Sequence, residues 1–439
     1  MRNIPLNEAL VEARQTYAAS RPRTQAVHEA ACAHLPGGNT RSVLYHGPFP
    51  MRVERGEGPY LFDVDGHRLV NLLGEYTAGV FGHSHPVIRR ALEEAIADGL
   101  NLGAHTVAEA ELAALVTARF PTMEQLRFTN SGTEANLMAV STARHVTGRS
   151  KVMVINGGYH GGLLYFGGGG IPINAPFPFV LAPYNDAATA CRLVEEHADD
   201  LACVLVEPMM GSGGCIPAAP GFLASLREAT TSAGALLILD EVMTSRFGRH
   251  GGGALAGVTA DLMTLGKWVG GGMSFGAFGG RADIMAIYDP TAEGAIPHAG
   301  TFNNNVLSMR AGIAALAEAF TPDVAEALHA RGEALRGRMN AVFEQHHVGM
   351  SLTGIGSLMT IHATASPVNS PADLATADDG AKELVFLDLL ERGYYVARRG
   401  FIALSVALGE AELDGFVDAV EDVVRHRRAV LPSRLAAAA

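Results

Sequence analysis

Residues Leu236 to Gly280 read LLILDEVMTSRFGRHGGGALAGVTADLMTLGKWVGGGMSFGAFGG. The stretch opens on an apolar strand ending in the acidic pair Asp240–Glu241, then crosses a polar loop to a second apolar segment, DLMTLGK, ending on Lys267. Glycines follow at once: Gly270, Gly271 and Gly272, then Gly276, Gly279 and Gly280. Two short strands thus bring a carboxylate and an amine to their C-terminal ends, the edge where open α/β sheets hold ligands. A lysine beside glycines has room for a bulky planar group, because no Cβ obstructs it. An amine and a carboxylate buried together are what pyridoxal phosphate chemistry requires, the lysine as Schiff base and the Asp facing the pyridinium nitrogen. Each half alone is commonplace. Their pairing on one αβ unit, and three further stretches, carry the reading.

The chain has 439 residues, 48% hydrophobic and 18% charged, enough for a large core with a smaller lobe and unlike a disordered chain. A net charge of −12 argues against a nucleic-acid-binding surface, which is basic, but leaves room for acidic substrates captured by local arginines. Cys32, Cys191, Cys203 and Cys215 form no C-x-x-C pair, so neither a disulfide framework nor a zinc site is expected, and a reducing compartment, the cytoplasm, is. Cys203 lies in an apolar run and reads as a core residue. The N-terminal MRNIPLNEALVEARQTYAA lacks an apolar h-region, so no secretion signal is expected, and no apolar run reaches a membrane span. The low-complexity LAAAA at the end is given no function.

Residues 1–35 read as two helices around Pro22, stopped by Pro36-Gly37-Gly38. YLFDVDGHRLVNLL reads as a hairpin turning at Asp65-Gly66. From about Pro86, helices alternate with the strands QLRFTN, KVMVIN, ACVLVEP, LLILD and GAFGG, which predicts a parallel sheet with right-handed crossovers. Residues 305–320 read as one helix, and the remainder, from Pro322, as an α+β lobe.

In QLRFTNSGTEAN a strand runs through a Ser-Gly-Thr turn into a helix. Ser131 and Glu134 are spaced as a capping box, which by itself implies only a well-capped helix. The same geometry makes a phosphate cradle: free amides at the helix start, Gly132 for close approach and the Thr133 hydroxyl. In VINGGYHGG, Tyr159-His160 sits between glycine pairs after a strand, where an aromatic can stack on a flat ring or fill a loop core. Glu207 ends ACVLVEP and brings a second carboxylate to the same edge, suited to bracing the pocket.

Together, NSGTEAN, YHGG, VEPM, LDEVMT, LGKWVGGGMSFGAFGG and GTFNNN resemble a class III aminotransferase of the fold-type I pyridoxal phosphate enzymes, over nearly the whole chain. The similarity is to the branch holding glutamate-1-semialdehyde aminomutase and β-amino acid aminotransferases. The resemblance implies an α/β fold with a mostly parallel seven-stranded sheet in a large domain, residues 66–310. Residues 1–65 form the cleft edge, and residues 311–439 with the N-terminal end form a smaller α+β domain. It implies Lys267 as the Schiff-base lysine, Asp240 on the ring nitrogen, and Ser131, Gly132 and Thr133 on the phosphate. It also sets Tyr159 on one ring face and Val242-Met243 behind the other, with His160 and Glu207 in the cofactor pocket. Thr301 would reach the phosphate from a neighbouring subunit, in a homodimer with two shared sites.

Where the aminomutase resembles Pro-Gly-Gly-Val-Asn-Ser-Pro-Val, this chain has PGGNTRSVLYHGPFP, which adds Arg41. A late YYVARRGFIALS adds Arg398 and Arg399. The guanidinium fork suits carboxylates. The pattern resembles β-phenylalanine aminotransferases, which implies that Arg41 binds the carboxylate of a β-amino acid. Arg399 would then bind that of an α-oxo acid such as 2-oxoglutarate or pyruvate. Neighbouring residues of an extended segment face opposite ways, so Arg398 competes for the second role. Val43, Tyr45, Tyr76 and Ala78 are candidates to accept an aryl or alkyl group. The rival readings are an aminomutase, a broad amine transaminase and a non-enzymatic cofactor-binding regulator.

Overall fold

The computed structural model describes residues 5–434, so the terminal LAAAA lies outside the described residues. Seven strands build the main sheet: β1 (Gln125–Thr129), β2 (Lys151–Ile155), β3 (Phe179–Ala182), β4 (Leu201–Val206), β5 (Leu236–Asp240), β6 (Leu262–Gly266) and β7 (Gly276–Gly280). Their order is β1-β7-β6-β5-β4-β2-β3. Every residue of β4, β5 and β6 is buried, as a sheet covered by helices on both faces requires. β5 runs parallel to β4 and β6, and β2 parallel to β4 and β3. β7 is antiparallel to both its neighbours, β6 and β1. The few residues from Lys267 to Phe275 are too short for a crossover helix, so the chain can only turn back. The strand β3 is not among those the sequence suggests: its four residues follow Pro176 and Pro178 and form the sheet edge.

Helices Gly132–Thr147, Ala187–Glu196 and Phe222–Ala233 are connections between these strands. The first is closed by Gly148 in the left-handed conformation, which glycine adopts without strain. Trp268, next to Lys267, is fully buried, donates Nε1–H to Ser245 Oγ at 2.9 Å and meets Phe320 edge-on at 4.8 Å. The turn that carries the lysine is therefore anchored in the core.

Of the remaining sheets, a four-stranded one joins both ends of the chain, a three-stranded one is C-terminal, and Met209–Met210 pairs with Ile216–Pro217 in a two-stranded one. Val53–Glu57, Tyr60–Asp63 and Arg68–Asn71 form the meander, with Tyr394–Tyr395 parallel to its last strand. Ser351–Ile355, Leu358–His362 and Phe401–Ala403 form an antiparallel sheet. The hairpin turns through residues 64–67, with Phe62 opposite Arg68. Leu6–Ser20 and Pro22–Cys32 are the two expected N-terminal helices. The helix expected over residues 305–320 is α-helical only from Val306 to Ala314 and widens into a π turn over Ala315–Ala319. All four cysteines are free, with Cys203 fully buried. Among the described residues no helix is long and apolar enough to cross a membrane, and no His, Cys, Asp or Glu cluster could hold a metal.

A Cβ on Gly276 would lie 2.2 Å from Ser131 O and 2.3 Å from Thr129 Oγ1, so β7 comes this close to the Ser-Gly-Thr turn only as glycine. Gly276→Ala is expected to lower stability by about 1–3 kcal/mol in urea unfolding at unchanged m-value. An unaltered midpoint would contradict this packing.

Candidate active site

The C-terminal ends of β1, β4, β5 and β6 lie along one edge of the sheet, and the groups singled out in the sequence meet there. Asp240 ends β5 and is buried. Its Oδ1 accepts from the Val242 amide at 3.0 Å and lies 3.4 Å from the Thr264 hydroxyl oxygen. Its Oδ2 accepts from Asn136 Nδ2 at 2.8 Å and lies 2.8 Å from His160 Nδ1, which carries the proton toward it. Thr264 also donates to Asn136 Oδ1 at 2.8 Å. Three donors from different elements therefore define the orientation of this carboxylate, and Thr264 orients one of them, Asn136. Burial of a charged group is tolerated on such terms. Asn136 and Thr264 escaped the sequence reading. The trace they leave is a polar residue on a buried apolar face, Asn136 beside Ala135, Ala139 and Val140, and Thr264 inside LMTLG.

Lys267 follows β6 with φ +56°, a left-handed conformation costing a non-glycine residue about 1–3 kcal/mol. Its neighbours Trp268, Val269 and Gly270 are buried, while Lys267 keeps partial exposure at the sheet edge. Its amine makes no hydrogen bond or ion pair to any described residue. Loss of hydration pushes the ammonium down to about 8. Asp240 and Glu207 oppose that shift, while Arg399 and Arg41 add to it. One amine thus feels both carboxylates and both arginines.

The helix Gly132–Thr147 starts against this edge. Ser131 Oγ accepts from the Glu134 amide at 3.2 Å, but the Glu134 carboxylate reaches one residue further back, to the Asn130 amide at 2.7 Å. Only half of the expected capping box forms. The amides of Gly132 and Thr133 find no acceptor among the described residues. A Cβ on Gly132 would lie 2.8 Å from Val242 Cγ2, so glycine brings this amide pair against the β5 turn. The donor set fits pyridoxal phosphate: free amides at a helix start for a phosphate, an unpartnered amine, and a carboxylate already oriented for a ring nitrogen.

Glu207 is buried beyond β4, and one oxygen accepts from the Tyr159 amide at 3.2 Å, the other from the Gly211 amide at 3.0 Å. Burial pushes its carboxyl up to about 7, eased by His160 and reinforced by Asp240. It is a brace between two loops. Tyr159 keeps 42% of its surface exposed and meets Tyr165 edge-on. His160 is buried, its Nε2 without a partner. Met243 is buried against Gly211. Thr301 is exposed, in a loop that Asn303 ties to Asn130 at 2.9 Å.

Gly74, Glu75, Tyr76 and Thr77 have φ of 51°, 48°, 53° and 84°, one turn of left-handed backbone carrying three side chains. Asn71 Oδ1 accepts from the Leu73 and Gly74 amides, and its Nδ2 donates to Glu75 Oε1 at 2.6 Å. The turn buries Tyr76, whose hydroxyl donates to Val43 O at 3.3 Å and whose ring stacks on Phe401 at 5.3 Å. The guanidinium of Arg41 lies 5.8 Å from the centre of that ring and that of Arg399 5.2 Å. Val43 and Tyr45 are exposed on the same segment as Arg41. Arg398 points elsewhere, to Glu383 at 3.1 Å.

The family profile described as aminotransferase class-III matches residues 44–407. The chain is 51% identical to the beta-phenylalanine transaminase of Variovorax paradoxus, over 98% of this chain and 99% of that one. The crystal structure of the beta-phenylalanine aminotransferase from that organism superposes with a TM-score of 0.96, at 51% identity over 98% and 99% of the two chains. Glutamate-1-semialdehyde 2,1-aminomutase of Heliobacterium modesticaldum is 37% identical over 91% of this chain and 96% of that one. A transaminase solved with PLP bound superposes at 0.85, with 33% identity over 92% and 97%.

A lysine whose pKa falls on folding destabilises the folded state wherever both states are charged, and that deficit disappears between the folded value, about 8, and the unfolded value near 10.5. Cofactor-free Lys267→Met is therefore expected to melt above the cofactor-free parent at pH 7, with the gap closing as pH rises from 8 toward 10.5. A gap that is constant across this range would show that the amine is not desolvated.

Proposed function

The chain belongs to the class III aminotransferases, which use pyridoxal 5'-phosphate, and we propose that it moves the amino group of an aromatic β-amino acid, of the β-phenylalanine kind, to an α-oxo acid such as 2-oxoglutarate or pyruvate. The observation that carries the substrate assignment is the pair Arg41 and Arg399. Both guanidiniums act on the Lys267 amine, and neither is paired with a carboxylate among the described residues.

When bound, the cofactor supplies an electron sink that allows a proton to leave the substrate carbon. Lys267 would hold the cofactor through its amine. Once released, it takes the proton from that carbon and returns one, a task suited to an amine lowered to about 8. Asp240 would hold the ring nitrogen protonated. Ser131, Gly132 and Thr133 would bind the phosphate. Tyr159, Val242 and Met243 would enclose the cofactor ring, while Glu207 and His160 hold Tyr159 and Asp240 in place.

Arg41 takes the carboxylate of the β-amino acid, and the apolar surfaces of Val43 and Tyr76 receive its aryl group. Arg399 takes the carboxylate of the oxo acid. The two arginines flank one aromatic ring, so two substrates whose carboxylates lie at different distances from the nitrogen can use one pocket in turn. A homodimer completes the reading, Thr301 serving the partner's phosphate. Its support is the apolar surface beside that loop: Val107 is 79% exposed and Phe302 56%, near the Asn304–Glu109 hydrogen bond. Free cysteines suit the cytoplasm.

Arg41→Ala is expected to raise KM for 3-amino-3-phenylpropanoate about ten- to a hundredfold, the loss of a charged hydrogen bond, while barely changing that for an aryl amine without a carboxylate. Equal effects would remove the assignment. Net transfer of nitrogen to 2-oxoglutarate separates the aminotransferase from an aminomutase. Borohydride reduction and peptide mapping should leave a pyridoxyl group on Lys267; an adduct elsewhere, or none, overturns the reading.

A further inference from the structure

Arg399 has no acidic partner, yet it is not free to wander. Its Nη1 donates to both the backbone oxygen and the hydroxyl of Ser212, each at 3.0 Å. Its guanidinium lies 5.2 Å from the Tyr76 ring centre and 5.5 Å from that of Phe401. Its Nε is buried with no hydrogen-bond partner. The loop that carries Ser212 is pinned on both sides. The Gly211 amide is held by Glu207, and Gly214 O accepts from the Thr353 hydroxyl at 2.7 Å and lies 3.0 Å from His362 Nε2. Glycines make this possible: a Cβ on Gly211 would lie 2.4 Å from Met243 Sδ, and one on Gly213 2.3 Å from Met210 Sδ.

We infer that Ser212 is a positioning residue that sets acceptor affinity: it ties Nη1 of the Arg399 guanidinium to a rigid loop and leaves the other terminal nitrogen, Nη2, to receive the oxo acid's carboxylate. The inference rests on Arg399 as the acceptor's ligand and adds what holds it. With Nη1 occupied, the guanidinium plane cannot rotate to present a different edge. The latch is also neutral. A carboxylate in place of the Ser212 hydroxyl would compete with the substrate for the same charge, whereas a hydroxyl orients the group and leaves its charge uncompensated. The aromatic faces of Tyr76 and Phe401 add attraction to the cation without neutralising it.

The test is equilibrium binding of 2-oxoglutarate to the pyridoxal form of the holoenzyme, which cannot transaminate it, followed by calorimetry. Steady-state KM for the oxo acid and for the β-amino acid is measured beside it. Ser212→Ala is expected to weaken oxo acid binding about three- to tenfold, less than the loss of a direct charged hydrogen bond because the backbone oxygen at position 212 still holds Nη1. KM for the oxo acid should rise in step, well beyond any change in that for the β-amino acid. Ser212→Thr, which keeps the hydroxyl, should restore binding, and Ser212→Asp should weaken it more than Ser212→Ala does. If Ser212→Ala and Ser212→Thr are equally impaired, the loop's shape and not the hydroxyl matters, and the inference falls. If Arg399→Ala weakens binding but Ser212→Ala does not, the inference falls while the role of Arg399 survives. If Arg399→Ala itself leaves binding unchanged, the acceptor assignment is what has failed.

Discussion

Taking a carboxylate out of water at the end of a central strand is costly, and removing one partner from a buried charged pair typically costs about 3–5 kcal/mol. Asp240 accepts that burial because the fold brings it donors from the β5 turn, the helix after β1 and the loop after β2, with the Thr264 hydroxyl of β6 holding the Asn136 amide in turn. The Val242 amide is two residues along the chain, but Asn136 and His160 come from 104 and 80 residues away, so the site exists only when the sheet is assembled. The same contacts fix the direction in which the acid points. Orientation and stability are therefore one requirement here.

Strain gathers around the same edge. Lys267 sits at positive φ, and the turn from Gly74 to Thr77 is left-handed through four residues. Each departure is held by something nearby that does not yield. Trp268 is locked in the core beside the lysine, and Asn71 satisfies the amides that the left-handed turn would otherwise leave open. Glycines act in the complementary sense, letting Gly132 approach Val242 and Gly276 approach Ser131 closer than any side chain permits. The rigid surroundings allow reactive groups to keep conformations they would not choose alone.

Electrostatically the cleft is a balance of two carboxylates and two guanidiniums around one amine. The carboxylates are deep and engaged by donors, while the arginines lie toward the opening and are engaged by rings, a hydroxyl and a backbone oxygen. That division leaves positive charge where a substrate's carboxylate would arrive and keeps negative charge where a ring nitrogen would sit. Glu207 joins the two zones, since one oxygen holds the Tyr159 loop and the other the loop of Ser212.

Much of this was legible in the residues themselves. Apolar runs of strand length ending in Asp240 and Lys267, with glycines behind them, determined the sheet edge and the chemistry, because periodicity and local φ preferences act over a few residues. The strand β3 was hidden by its prolines, and the reversal at β7 by the absence of any cue other than a short connection. Asn136, Thr264 and Ser212 were invisible as site residues, since each acts through a partner more than twenty residues away in the chain. The choice between Arg398 and Arg399 was open for the same reason. Adjacent residues of an extended segment face opposite sides, and only packing against Tyr76 on one side and Glu383 on the other decides which arginine meets the cleft.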